Sequence, residues 1–186
     1  RLRPWKNWRP IEQATMSYGH GISISLMQLA RAYTVFTSGG ELKPISLLQQ
    51  TMPVMGQRVI SRDTALAMSQ MLEMATKPGG TAPLAQIDGY RVAGKTGTAH
   101  KLIDGQYAKK RYIATFVGYA PASNPRLIIA VMIDEPSAGQ HFGGAVAAPV
   151  FSKVMANALH ILNIPPDAPA NNVVTFTAVP EIDEEG

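Results

Sequence analysis

Cysteine is absent from all 186 residues. That excludes disulfides, zinc thiolates and a cysteine nucleophile. It leaves the redox compartment open, because a domain of this size folds without a bridge. Charged residues make up 16% and aromatic residues 7%, against 46% hydrophobic, the composition of an ordinary globular chain. Long apolar runs are missing too: the longest, 127–133, is far too short to span a bilayer. The chain opens RLRPWKNW, with no initiator Met, apolar signal core or transit pattern. The expectation is an internal piece of a longer protein whose remainder carries any address and anchor. No basic stripe interleaved with aromatics is present, so nothing argues for nucleic acid.

What is present is basic. Net charge is +4, and four of the 13 acids, Glu181, Asp183, Glu184 and Glu185, crowd the last six residues. The body then holds 17 bases against nine acids, a net of +8. Such a body favours anionic ligands, although most of these side chains read as solvated surface. The length suits one domain or a large piece of one.

Ile22, Leu26, Leu29, Tyr33 and Phe36 share one helical face, predicting a helix over 23–38 that Gly39-Gly40 stops. A second helix is expected over 61–76. Ser61 is its N-cap, Asp63 lies in its first turn, and Ala65, Met68, Leu72 and Ala75 form its buried stripe. Strands are expected over 91–101, 112–119 and 127–133, and the short link at 120–125 makes the last two antiparallel. A third helix is expected over 145–162, with Val150, Val154, Ala158 and Ile161 inward. From Pro166 the chain turns polar and then acidic, and 166–186 is expected to be a loose tail after a unit spanning 1–165.

One lysine carries two conflicting motifs. Gly89 through Gly94-Lys95-Thr96 fits G-x-x-x-x-G-K-[ST], the phosphate-cradling loop, and the apolar run ending in Asp134-Glu135 resembles the strand that holds Mg²⁺ in such enzymes. A phosphate loop must leave a buried strand and open a helix. Neither flank supplies this, and Tyr90-Arg91-Val92-Ala93 is bulky where phosphate approaches closely. Lys95-Thr96-Gly97 also fits K-T-G, the third motif of serine β-lactamases and penicillin-binding proteins. That motif needs only a strand at a cleft rim. Gly97 lets substrate backbone lie against the strand, and Lys95 supplies positive charge. Thr98 offers a hydroxyl to a carboxylate and an N–H to a developing oxyanion.

KTGTAHK, the upstream SYGHGISISLMQLARAYTVFTSGG, ATFVGYAPASNPRLIIAVMIDEP and HFGGAVAAPVFSKVMANAL follow one another in this order. Together they resemble class B penicillin-binding proteins, the division-type penicillin-binding protein 3 in particular, from about Trp8 to Pro166. The resemblance implies an α/β (α+β) β-lactamase/transpeptidase-like fold, a central antiparallel sheet with helices on both faces, of which this chain is the C-terminal portion. It implies that Lys95 and Thr98 are catalytic and that Thr96, Gly97 and Thr98 bind the substrate carboxylate side. Phe142 and Gly143 would line the cleft mouth. His100 is expected to be an exposed strand residue, with ligand contact as the second reading.

The family's nucleophile lies in S-x-x-K and its second motif is S-x-N. None of the ten serines has lysine three positions on or asparagine two on. Thr98-Ala99-His100-Lys101 matches T-x-x-K by coincidence inside the strand motif. By resemblance both motifs precede SYGHG, so the chain is expected to be one half of a cleaved protein or a partial polypeptide, inactive alone. The intact protein would be a D,D-transpeptidase that cross-links peptidoglycan stem peptides ending in D-Ala-D-Ala and is acylated by β-lactam antibiotics. The resemblance further implies action at the periplasmic face of the inner membrane, with an N-terminal anchor outside this chain. Partners would be the rest of the same protein and division-complex membrane proteins, including a SEDS-type glycosyltransferase. No cofactor or metal is expected; His20, His100, His141 and His160 lack ligand spacing. A D,D-carboxypeptidase, a serine β-lactamase and a β-lactam sensor remain as rivals, with a P-loop ATPase as outlier.

Overall fold

The computed structural model describes residues 4–17, 19 and 22–173. His20 and the acidic end of the expected tail lie outside the described residues. A 3-10 turn, Trp5–Asn7, and helix α1, Pro10–Ser17, lead into helix α2, Leu26–Thr37. Ser25 caps α2 through a complete capping box with Gln28, and Gly39 and Gly40, both at positive φ, end it. A two-stranded ribbon follows, β1 (Glu41–Leu42) against β2 (Gln57–Arg58), and then helix α3, Arg62–Met74. Ser61 caps α3 as expected, accepting from the Thr64 N–H at 3.0 Å. After a 3-10 turn at Pro83–Ala85 come β3 (Ala93–Ile103), β4 (Gln106–Ala120) and β5 (Leu127–Asp134), then helices α4 (Gly143–Val146) and α5 (Ala148–Ile161).

The three long strands form one antiparallel sheet in the order β3-β4-β5. Alternation along β4 feeds two cores. Val117 and Tyr119 join Ala93, Tyr33 of α2 and Leu72 of α3 on one face. Phe116 and Ala120 join Phe151, Met155 and Leu159 of α5 on the other. Helices on both faces of an antiparallel sheet match the expected architecture.

Three details differ from expectation. The buried side of α5 is Ala148, Phe151, Met155 and Leu159, whereas Val150, Val154 and Ile161 are 40%, 49% and 75% exposed. Two apolar stripes compete on this helix. The one with larger side chains buries more area, on the order of 1.5–3 kcal/mol for each large side chain, and takes the core. Ile22 and Leu26 are likewise exposed, so only the second half of the α2 stripe packs inward. Finally, the first residues of the expected loose tail are docked: the Asp167 carboxylate accepts from the N–H groups of Arg91 (2.7 Å) and Ser123 (3.0 Å), and Asn172 pairs with Gly89 and Tyr90.

Candidate active site

The K-T-G segment occupies the outer strand of the sheet. β3 pairs with β4 on one side, and among the described residues no strand pairs with its other side. An antiparallel edge leaves alternate N–H and C=O groups facing outward, open to an extended peptide. Lys95 lies opposite Val117 and Gly97 opposite Thr115, on the face shared with α2 and α3. Thr96 lies opposite Phe116 and Thr98 opposite Ala114, on the face shared with α4 and α5. The phosphate-loop reading fails here, because Lys95 stands inside a strand and β4 is the next element. Asp134 and Glu135 are engaged instead by the Lys101 ammonium at 2.8 and 2.7 Å.

The Lys95 side chain is exposed and folds back on its neighbour, its Nζ donating to the Thr96 carbonyl at 3.3 Å and the Thr96 hydroxyl at 3.4 Å. The Thr98 Oγ1 accepts the Gly143 N–H at 3.1 Å. The Thr115 hydroxyl donates to the Gly97 carbonyl at 3.3 Å. Gly143 and Gly144 make the close approach possible. A Cβ on Gly143 would lie 2.7 Å from the Gly97 carbonyl oxygen, and one on Gly144 would collide with the Thr81 carbonyl. The six expected site residues, Lys95, Thr96, Gly97, Thr98, Phe142 and Gly143, thus meet at one edge of the sheet. An ammonium, threonine hydroxyls and strand N–H groups suit an anionic peptide end.

The family model for the penicillin-binding protein transpeptidase domain matches residues 3–156. This chain belongs to the penicillin-binding protein transpeptidase family. It is 49% identical over 174 residues to the probable peptidoglycan D,D-transpeptidase PenA of Neisseria flavescens, covering 94% of this chain and 44% of that protein. Identity to the peptidoglycan D,D-transpeptidase FtsI of Escherichia coli K12 is 45% over 169 residues, 90% of this chain and 29% of FtsI. The apo transpeptidase domain of Burkholderia pseudomallei penicillin-binding protein 3 superposes with a TM-score of 0.84 at 53% identity, covering 91% of this chain and 52% of that one. The chain therefore spans less than half the length of these curated relatives.

Beside the K-T-G strand the chain carries a row of rings that sequence reading missed. Tyr112 stacks on His141 at 3.9 Å, with His100 on its other flank at 4.7 Å and Phe142 beyond His141 at 4.3 Å. His100 is exposed, as expected, and its Nδ1 lies 3.3 Å from the Ala108 carbonyl. The row exists because His100 and Tyr112 face each other across the hairpin. Asp104-Gly105, both at positive φ, forms the turn. A reading of Asp-Gly as a hairpin turn would have joined the two strands but set His100 opposite Lys109; the register shift between His100 and Leu102 is what brings Tyr112 to it.

Thr81 was missed as well. Its hydroxyl receives the Thr96 hydroxyl at 3.2 Å from a segment 15 residues upstream. Nothing in the local spacing signals that contact.

Proposed function

We propose that this chain supplies the K-T-G side of the active site of a peptidoglycan D,D-transpeptidase. Residues 1–165 would form the C-terminal portion of its transpeptidase domain. The S-x-x-K and S-x-N motifs would lie in sequence outside this chain. The observation that carries the reading is the exposed edge strand Lys95-Thr96-Gly97-Thr98, with the Thr98 oxygen already occupied by the Gly143 N–H at 3.1 Å.

In that reading a serine attacks the penultimate D-Ala carbonyl of a stem peptide. The tetrahedral intermediate collapses to an acyl-enzyme and releases terminal D-Ala. The amine of a neighbouring stem peptide then displaces the serine, making the cross-link. Lys95 places positive charge beside the nucleophile and the anionic peptide end, which favours an ionised serine and draws the substrate in. Thr96 and Thr98 hold the terminal carboxylate, and Gly97 gives the substrate backbone room. The Thr98 N–H supplies half of the oxyanion hole. Phe142 and Gly143 line the cleft mouth. A β-lactam presents the same carboxylate and a reactive carbonyl, and it stalls at the acyl-enzyme. The likeness to FtsI supports septal wall synthesis at the periplasmic face of the inner membrane. An anchor outside this chain and division-complex membrane proteins, including a SEDS-type glycosyltransferase, complete the proposal.

The test uses the intact protein. Fluorescent penicillin is expected to label it, and Lys95→Ala to lose the label. Stem peptides are expected to yield cross-linked dimer. Free acid as the sole product would make the protein a hydrolase, and a stable adduct without turnover would make it a sensor.

A further inference from the structure

The Thr96 hydroxyl is not free to serve an incoming anion in the way the Thr98 hydroxyl is. Thr98 Oγ1 accepts from a backbone N–H, so its proton points elsewhere. Thr96 Oγ1 accepts from the Lys95 ammonium at 3.4 Å and spends its single proton on Thr81 Oγ1 at 3.2 Å. A hydroxyl has one donor, so in this arrangement Thr96 has none left for a carboxylate.

Thr81 itself is rigidly held. The next residue, Ala82, donates its N–H to the Ala75 carbonyl at 2.8 Å, and Gly80 donates to the Lys77 carbonyl at 2.9 Å. Gly144 lies so close to the Thr81 carbonyl that it has no room for a Cβ, and the same Cβ would stand 3.5 Å from the Thr96 methyl. Thr81, Thr96 and Gly144 therefore form one packed unit behind the strand. A hydroxyl on so fixed a backbone stays in place while its proton rotates at little cost.

We propose that Thr81 is the positioning residue that arms Thr96 for the anionic end of the ligand. The hydroxyl pair has two proton arrangements. With the site empty, Thr96 donates to Thr81. When a carboxylate arrives, Thr81 rotates its proton toward Thr96, and Thr96 turns its own toward the carboxylate. The reversal leaves each hydroxyl donating one hydrogen bond and breaks no covalent bond. Thr81 touches no substrate; it keeps the Thr96 oxygen satisfied while the Thr96 proton is used elsewhere. Its effect is therefore confined to ligands bearing a negative carboxylate.

This inference rests on the transpeptidase reading, and one experiment separates the two. In the intact protein, acylation is followed with benzylpenicillin and with its methyl ester, for the wild type, Thr81→Val and Thr81→Ser. Thr81→Val is expected to lower the second-order acylation constant about fivefold for the free acid, the loss of one neutral hydrogen bond. The loss should fall on apparent affinity rather than on the limiting acylation rate. The ester should be little affected, and Thr81→Ser should restore wild-type values. In a Thr96→Val background, Thr81→Val should add nothing. Should Thr81→Val not fold, Thr81→Ala carries the same comparison. Equal losses with acid and ester, no loss with either, or an additive effect with Thr96→Val would overturn the proposal. Failure of the wild type to be acylated at all would instead overturn the transpeptidase reading.

Discussion

Gly143 donates its backbone N–H to the Thr98 hydroxyl oxygen at 3.1 Å, tying the start of α4 to the K-T-G strand across 45 residues of sequence. The bond occupies a lone pair of Thr98 and leaves the hydroxyl proton as its only donor. An anion at the strand edge is then the natural recipient. Thr98→Val keeps the shape and removes that donor. Its expected cost is about 1.5–3 kcal/mol of binding to a charged partner, roughly 10- to 100-fold in acylation by a carboxylate-bearing β-lactam. Wild-type acylation by Thr98→Val would remove this hydroxyl from the site.

Gly143 and Gly144 are buried, and neither has room for a methyl group above the ladder. Gly144→Ala sets a Cβ against the Thr81 carbonyl, a backbone atom that cannot swing aside as a side chain can. The expected outcome is a destabilisation of about 1–3 kcal/mol together with a displaced Thr81. Denaturant unfolding of the intact protein checks the first, and slower penicillin acylation, by about the fivefold expected for Thr81→Val, checks the second. Gly139 is the control. It stands at positive φ in open space, so replacing it costs backbone strain without touching the site.

Caps and stripes made the sites of α2 and α3 legible in sequence. Ser61 followed by a helical face, and Gly39-Gly40 at the end of another, are local signals with local causes; the Ser25 cap was not read, and α2 was expected to begin at 23. The α5 face was misjudged because two apolar stripes run along it, and only the sheet's demand for volume chooses Phe151 over Val154. β4 proved longer than its apolar core suggested: Gln106–Ala120 includes the basic segment 109–111, which bulges from the ladder at the register shift with Lys110 at positive φ. The K-T-G strand was legible because its chemistry is carried by consecutive residues. Thr81, Thr115, Tyr112 and His141 were not, because each reaches the site through a contact between distant segments.

Glu73 is a charged group 7% exposed in the α2–α3 face of the core. Arg91 grips its carboxylate with Nε at 2.9 Å and a terminal nitrogen at 2.7 Å, and Lys77 stands 3.3 Å away. The Arg91 hydrogen bond is the main reason the carboxyl is held below its ordinary range, against burial that pushes it up. A depressed folded value adds stability above the unfolded value of about 4.3, and that stability is lost as pH falls through the folded one. Glu73→Gln should therefore be less stable by about 1–3 kcal/mol at neutral pH. The gap should close as the medium becomes acidic enough to protonate Glu73 in the wild type. Urea midpoints measured from neutral to acidic pH test this; a gap of constant size would show that the charge is not what stabilises.

Asp167 draws the start of the expected tail back onto the domain. One carboxylate oxygen accepts the Arg91 N–H at 2.7 Å, and the other accepts the Ser123 N–H at 3.0 Å and its hydroxyl at 2.7 Å. Around it, Asn171 and Asn172 bond to Asp88, Gly89 and Tyr90. The segment thus fixes the turn that feeds β3 and the loop that joins β4 to β5, from the end of the strand remote from the ring row. Asp167→Ala frees those N–H groups at a cost of about 1–3 kcal/mol. Amide hydrogen exchange should quicken at Arg91 and Ser123, and secondarily at Gly89, while Thr115 to Tyr119 in the sheet interior stay protected. Asp167→Asn keeps a carbonyl acceptor, so it should fall between the two. Unchanged exchange at Arg91 in Asp167→Ala would mean that this contact adds nothing to the anchoring of β3.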